Sequence, residues 1–233
     1  MNSVNLSERL QVVADYVEKG ARLADIGSDH AYLPCYLAQN KQIEFAVAGE
    51  VVEGPYLNAV NEVSKLHLEE TIAVRLGDGL RVLKEEDRIS TITIAGVGGP
   101  LIRRILEEGK QLRKRSGQET LILQPNVNER TVREYLMNES YEIVAETIIE
   151  ENDKIYEIIK AEPCETRQDY SKRDLLFGPF LSKEKAPVFL KKWSNEAEKT
   201  TYILEQMKKA EQADRVKIDE LEAQLSLIKE MIE

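Results

Sequence analysis

The residues able to do chemistry gather in four short stretches: Asp25-Ile26-Gly27-Ser28-Asp29-His30, Gly49-Glu50, Gly77-Asp78-Gly79 and Ala95-Gly96-Val97-Gly98-Gly99. The first is not a phosphate loop. Asp29 stands where GxGxxG would carry its second glycine, and Ala31 and Tyr32 follow. Such a loop lacks the backbone cradle of a pyrophosphate and adds negative charge where the phosphates would sit. Its two carboxylates suit a ligand carrying an ammonium or sulfonium group. Glu50 follows Asp25 at 25 residues, the spacing at which an acid meets a ribose diol and accepts two hydrogen bonds. Asp78, flanked by glycines, is placed to accept from an adenine amino group. Together they describe a nucleoside site without a phosphate cradle, and S-adenosylmethionine is a ligand of that description.

Two further loops belong to the set. The glycines of 96–99 let the backbone approach a ligand closely. In Gln124-Pro125-Asn126, each amide offers a donor and an acceptor, which suits a base edge. Each feature has a structural alternative: Asp25 or Asn126 as a helix cap, Asp78-Gly79 as an ordinary turn, Glu50 as an exposed strand end. Acids closing three consecutive strands favour a binding site.

The elements that must position these residues follow from hydrophobic period. Residues 22–26, 44–49, 71–76, 90–95 and 119–124 read as buried strands, each ending at one of the loops above. Residues 141–149 and 154–161 read as a hairpin around Glu151-Asn152-Asp153. Leu6, Leu10, Val13 and Val17 fall at helical spacing behind Asn5 or Ser7 as N-cap, and residues 33–40, 56–67, 100–108 and 129–139 continue the alternation. Alternating strands and helices predict an α/β fold, a parallel sheet covered on both faces with an antiparallel hairpin at its end. Ligands on such sheets sit at the carboxyl ends of the strands.

The pattern changes after about residue 162. Pro163, Gly178, Pro179 and Pro187 mark a connecting stretch, and no Gly or Pro occurs from Val188 to Glu233. Trp193, Ala197, Thr200, Leu204, Met207, Ile218, Leu221, Leu225, Ile228 and Ile232 fit a heptad seam. Glu211 and Asp214 interrupt it, so a helix break is expected between Ala210 and Arg215. An antiparallel hairpin is favoured over one long dimerising helix. The expected domains are residues 1–162 and 163–233.

Composition bounds the class. The chain has 233 residues, 32% of them charged, and a net charge of −10. No apolar run approaches the roughly 20 residues of a membrane span, and no signal peptide is evident, so a cytoplasmic location is expected. Cys35, Cys164, His30 and His67 lack metal-ligand spacing, so no metal is expected. The net charge opposes nucleic-acid binding in general. Arg103–Arg115 and Glu165–Lys192 are nevertheless locally basic.

Taken together, DIGSDHAYLP, GE, GDGL, IAGxGG, LQPN, GPFLxKE and FLKKW resemble the bacterial tRNA (adenine-N1)-methyltransferase family that modifies adenine 22, the TrmK family. The resemblance spans essentially the whole chain. It departs at Val97 and Pro100, where methionine and a small residue would be expected, with all three glycines kept. It implies a Rossmann-like class I methyltransferase sheet of seven strands, a C-terminal coiled-coil-like hairpin, S-adenosyl-L-methionine as cofactor and tRNA as substrate, acting as a monomer or weak dimer. The implied cofactor residues are Asp25, Gly27, Ser28, His30, Glu50, Asp78, Gly79, Ala95 and Gly96. The implied catalytic residues are Asp29, Asn126 and His30. Asp29 would accept from the adenine amine as charge develops, Asn126 and Gln124 would orient the base, and His30 would either accept a proton or pack on the cofactor. Two other readings compete: a nicotinamide oxidoreductase, which would need the missing phosphate loop, and a non-catalytic RNA-binding protein, which would not need the acids.

Overall fold

The computed structural model describes residues 5–209 and 214–233. Seven strands, β1 (Ala21–Ile26), β2 (Ile43–Glu50), β3 (Ile72–Leu76), β4 (Thr91–Val97), β5 (Thr120–Pro125), β6 (Tyr141–Glu151) and β7 (Lys154–Pro163), form one sheet in the order β3-β2-β1-β4-β5-β7-β6. All run parallel except β7, which is antiparallel to both β5 and β6. The chain builds outward from β1 to β3, then returns to lay β4 on the other side of β1. That reversal makes the carboxyl ends of β1 and β4 a topological switch point, the place where ligands bind on open α/β sheets.

Five helices cover the sheet: α1 (Glu8–Tyr16), α2 (Tyr32–Gln39), α3 (Glu53–Lys65), α4 (Gly99–Gln111) and α5 (Glu129–Asn138). Successive strand residues point to opposite faces, which yields two cores. Leu23, Ala46, Ala48, Ile122 and Ile158 pack with Val13 and Ala14 of α1, Leu33 and Leu37 of α2, and Ala59 and Val63 of α3. Ala24, Val47, Ile92, Ile94, Leu121, Leu123 and Ile159 pack with Ile102 and Leu106 of α4 and Val132 and Leu136 of α5. Of the two expected caps for α1, Ser7 is the one used, accepting from the Leu10 N–H at 3.3 Å. Asn152 and Asp153 take φ of 51° and 60°, the left-handed pair that a two-residue hairpin turn requires. Gly99 lets α4 start against the loop before α5, since a Cβ there would lie 2.2 Å from the Asn128 carbonyl oxygen.

The compact units divide after Tyr170, beyond the expected boundary at 162. The Tyr170 hydroxyl accepts from the Ile143 N–H at 2.8 Å and the Cys164 N–H donates to the Ser140 carbonyl at 2.9 Å, which ties the segment after β7 back to the sheet unit. The second unit, from Ser171, holds α6 (Lys172–Phe177), α7 (Leu181–Glu184), α8 (Pro187–Lys209) and α9 (Arg215–Ile232). The stretch read as a connection thus contains two short helices; Ser171 and Asp174 form a capping box that starts α6. Phe177, Phe189 and Trp193 pack together, with Phe177 and Trp193 ring centroids 4.6 Å apart.

Helices α8 and α9 pair as an antiparallel hairpin. Lys208 Nζ lies 2.5 Å from Glu222 Oε1, while Thr201 and Leu204 share a groove with Leu225 and Lys229. Trp193, Ala197, Thr200, Leu204, Ile218 and Ile228 are buried along the expected seam. At its end Met231 is buried in place of the expected Ile232. Asp214 does not face a core: it caps α9, accepting from the Lys217 N–H at 3.1 Å. Glu211 and most of the expected break lie outside the described residues.

Candidate active site

Asp25, the penultimate residue of β1, lies beside Thr93 of β4, its partner in register. Burial pushes its carboxyl above the usual carboxylate range, opposed by two short hydrogen bonds: Ser28 Oγ donates to Oδ2 at 2.5 Å and Thr93 Oγ1 to Oδ1 at 2.6 Å. Asp25 is therefore the pin of the loop that follows. The N–H groups of Gly27 and Ser28 donate to the Gly49 carbonyl at 2.9 and 3.2 Å, joining this loop to the end of β2. The backbone then runs left-handed through Gly27 (φ 74°), Asp29 (40°), His30 (69°) and Ala31 (56°). Three non-glycine residues in that region are strained, as functional loops often are. The space over Gly27 is open, with nothing within 4 Å of where a Cβ would stand.

Glu50 is buried at the end of β2. Its Oε1 accepts the Asp29 N–H in a short hydrogen bond, and Oε2 makes none among the described residues. Burial is the main cause that raises its pKa, with Asp25 and Asp29 adding negative charge nearby. The Gly77 N–H donates to the Glu50 carbonyl at 2.7 Å, which draws the third loop toward the first two. Asp78 there is exposed and its side chain caps nothing, so its carboxylate is available. Asp29 is 70% exposed at its side chain, with Oδ1 3.5 Å from His30 Nε2. His30 stacks on Tyr32 at 5.1 Å and 8°.

The β4–β5 register shifts between Ala95 and Val97, so Gly96 (φ 81°) bulges out of the ladder. Its N–H donates instead to Gln124 Oε1 at 2.9 Å, and its carbonyl accepts from Asn126 Nδ2 at 2.7 Å. Gln124 Nε2 donates to Asn126 Oδ1 at 3.1 Å. Gln124 is fully buried and its amide is spent inside the protein. It braces the Gly96 bulge and does not face a base, contrary to the reading of its side chain as a base-edge contact. Asn126 is exposed at the rim.

The fold thus brings the residues of all five loops to one edge of the sheet: Asp25, Gly27, Ser28, Asp29, His30, Glu50, Asp78, Gly79, Ala95, Gly96 and Asn126. Sequence reasoning missed Thr93, whose only sign was a polar residue inside an apolar strand. It also missed Arg9, which donates through Nη1 to Gln124 Oε1 at 2.5 Å. The sign there was an arginine flanking the apolar stripe of α1, one turn from Leu6 and Val13. Val51 and Val52, 63% and 56% exposed directly after Glu50, are apolar surface suited to the face of a base.

The expected basic stripe Arg103–Arg115 is largely neutralised. Arg103 pairs with Glu107, Arg104 with Glu108 and Lys110 with Glu139. Arg115 is buried at its side chain and donates to the Tyr135 hydroxyl at 2.5 Å. No helix among the described residues is long and apolar enough to cross a membrane.

A mainly parallel sheet with an antiparallel strand in its last hairpin, and an acid-lined edge at the carboxyl ends of the strands without a phosphate loop, fits a class I S-adenosylmethionine-dependent methyltransferase. Residues 23–230 match the family model described as tRNA (adenine(22)-N(1))-methyltransferase, TrmK, and the chain belongs to that family. It is 46% identical to the tRNA (adenine(22)-N(1))-methyltransferase of Bacillus subtilis (strain 168), over 100% of this chain and 99% of that one. A putative tRNA (m1A22) methyltransferase of Streptococcus pneumoniae, solved in complex with S-adenosyl-L-methionine, superposes with a TM-score of 0.88 at 48% identity, covering 98% of this chain and 100% of that one. TrmK of M. capricolum, solved with S-adenosyl-homocysteine, does so with a TM-score of 0.83 at 29% identity, covering 97% of each chain.

Proposed function

We propose that Asp25, Gly27, Ser28, His30, Glu50, Asp78, Gly79, Ala95 and Gly96 form the cofactor site, and that Asp29, His30 and Asn126 receive the adenine. The enzyme is an S-adenosyl-L-methionine-dependent methyltransferase acting on N1 of adenine 22 in tRNA. The observation that carries the site assignment is Glu50: a buried carboxylate with one oxygen fixed by the Asp29 N–H and the other open, beside the clear space over Gly27. A ribose diol supplies the donors that such a group lacks. S-adenosyl-L-methionine, when bound, supplies a methyl carbon activated by its sulfonium.

The protein's part is alignment and electrostatics. Adenine N1 already has an in-plane lone pair, so it needs orientation more than a base. Methylation leaves the ring cationic. Asp29 accepts a hydrogen bond from the exocyclic amine, and that bond strengthens as positive charge develops. The bond from Glu50 to the Asp29 backbone links the ribose acceptor to the catalytic carboxylate. Asn126 keeps unused amide capacity at the rim and meets the base edge. His30, stacked on Tyr32, holds Asp29 from the side.

A tRNA must expose its target base at a cost of a few kcal/mol, and a protein of net charge −10 must supply local cations for the phosphates. The second unit, with Lys183, Lys185, Lys191 and Lys192, is the proposed tRNA-holding element. With tRNA as its substrate, the enzyme would work in the cytoplasm, as a monomer or weak dimer. The test is methyl transfer to unmodified tRNA followed by nucleoside identification. N1-methyladenosine at position 22, lost when guanosine replaces that adenosine, supports the assignment; transfer to another position or atom overturns it.

A further inference from the structure

At the amino ends of β4 and β5, two loops line a cavity of about 640 Å³. Residues 83–89 lead into β4, and residues 112–119 join α4 to β5. Strand β4, seven residues long and so about 20 Å, lies between this cavity and the proposed cofactor site. We propose that the cavity binds the phosphate of a nucleotide, either free or within an RNA chain.

Five cations line the cavity, Lys84, Arg88, Arg113, Lys114 and Arg115, against two carboxylates, Glu85 and Glu119. Two of these groups are spent inside the protein. Arg115 donates to the Tyr135 hydroxyl at 2.5 Å and pairs with Glu139. Glu119 is buried and folds its own loop, accepting from the Ser116 N–H, the Ser116 hydroxyl and the Gly117 N–H at 2.6, 2.9 and 2.9 Å. Lys84 lies 3.8 Å from Glu86. That leaves Arg88, Arg113 and Lys114 against the exposed Glu85. Lys114 is fixed to the wall by one N–H, donated to the Leu83 carbonyl at 2.9 Å, and keeps the others. Arg88 and Arg113 make no side-chain hydrogen bond or ion pair among the described residues.

The backbone fixes the two free arginines. Helix α4 ends in a Schellman turn, with the Arg113 N–H donating to the Lys110 carbonyl at 3.1 Å and the Lys114 N–H to the Gly109 carbonyl at 2.8 Å. Arg113 there has φ of 54°, and Arg88, which ends the short turn Glu85–Asp87, has 48°. Helix ends usually give this left-handed region to glycine. Local sterics gain nothing from an arginine at either place, whereas an anion in the cavity does. Two guanidiniums and an ammonium around one concave surface suit the oxygens of a phosphate. Ile89 and the partly exposed Leu112 supply an apolar wall for a sugar or base. The volume falls in the roughly 300–1,000 Å³ range of small-ligand sites. The competing explanation is a solvated surface, whose cations touch only water.

The test compares full-length wild type with the double variant R88G and R113G, both saturated with S-adenosylhomocysteine so that nucleotides cannot enter the cofactor site. Glycine suits both backbone positions, so the melting temperature should hold or rise, and lost binding is then not a folding defect. Calorimetry uses ADP and inorganic pyrophosphate; tRNA affinity is measured against salt. If the ligand is a free nucleotide, wild type binds ADP or pyrophosphate and the variant does so about ten- to a hundredfold more weakly. If the phosphate belongs to RNA, neither small anion binds, and the variant reduces the salt slope of log tRNA affinity by about 1.4–1.8, the share of two phosphate contacts. Either result supports the proposal and names the source. An unchanged salt slope, together with small-anion binding that is absent or equal in the two proteins, would establish the solvated surface and overturn it. R88Q with R113Q repeats the comparison should the glycine variant not fold.

Discussion

Glu50 and Asp29 are joined by one hydrogen bond yet should fail in different ways. Glu50→Ala removes the proposed ribose acceptor and should weaken S-adenosylhomocysteine by about 1.5–3 kcal/mol; unchanged affinity by calorimetry would remove Glu50 from the site. Asp29→Ala should lower kcat much more than cofactor affinity, because its proposed partner gains charge only as the methyl is transferred. Normal turnover at saturating tRNA would make Asp29 a structural residue. A pH dependence follows from the burial that raises the Glu50 pKa. In the window between its ordinary and its folded pKa, the folded protein holds the proton more tightly than the unfolded chain, so acidification there favours the unliganded fold. Cofactor binding has the opposite trend, since the protonated carboxyl loses its charge-assisted bonds. Affinity for S-adenosylhomocysteine should fall on acidification before ordinary glutamates titrate, and Glu50→Gln should remove most of that dependence.

Between elements, the boldest electrostatic feature is the buried junction of α5 with the β6–β7 hairpin. Arg133 Nε donates to Glu146 Oε1 at 2.8 Å and Nη2 to Glu157 Oε2 at 2.5 Å, with all three side chains fully buried. Burial opposes the Arg133 charge, but the two carboxylates hold its pKa above the usual arginine value. Each ion is costly to bury, so removing one member is worse than removing all. Arg133→Leu leaves two carboxylates without their counter-charge and should cost about 3–5 kcal/mol. At about 2–4 °C per kcal/mol for a domain of this size, thermal melting will show it. Adding Glu146→Leu and Glu157→Leu should recover much of the loss. A triple variant no better than the single one would show that packing, not charge, dominates this junction.

At the scale of the whole chain, both hydrophobic cores lie within the unit that ends at Tyr170. A protein truncated after that residue should fold, keep near-normal affinity for S-adenosylhomocysteine and lose most tRNA methylation. Charge supplies a second measurement. Removing one cation that neutralises a phosphate should reduce the salt slope of log tRNA affinity by about 0.7–0.9. Lys183→Ala with Lys185→Ala should therefore reduce it by nearly two such steps. Arg103→Ala with Arg104→Ala should do less, because those side chains already face Glu107 and Glu108. Full methylation by the truncated protein would show that the helical unit does not hold the substrate.

Local pattern alone determined the strands, the hairpin turn and the acids that close the strands. A buried strand announces itself by an apolar run, and its end by a glycine or an acid, all within a few residues. Asn152-Asp153 was legible for the same reason. The helical hairpin was legible as a seam, although its end settled on Met231 because the exact face of a helix depends on what it packs against. Tertiary structure alone decided the partners. Thr93 meets Asp25 across 68 residues, and Arg9 meets Gln124 across 115. Those meetings depend on β4 lying beside β1 and on α1 reaching the end of β5, which no local spacing encodes. Gln124 looked like a base contact because its sequence shows an amide at a strand end; in the fold, burial turns that amide inward and spends it on Gly96, Asn126 and Arg9.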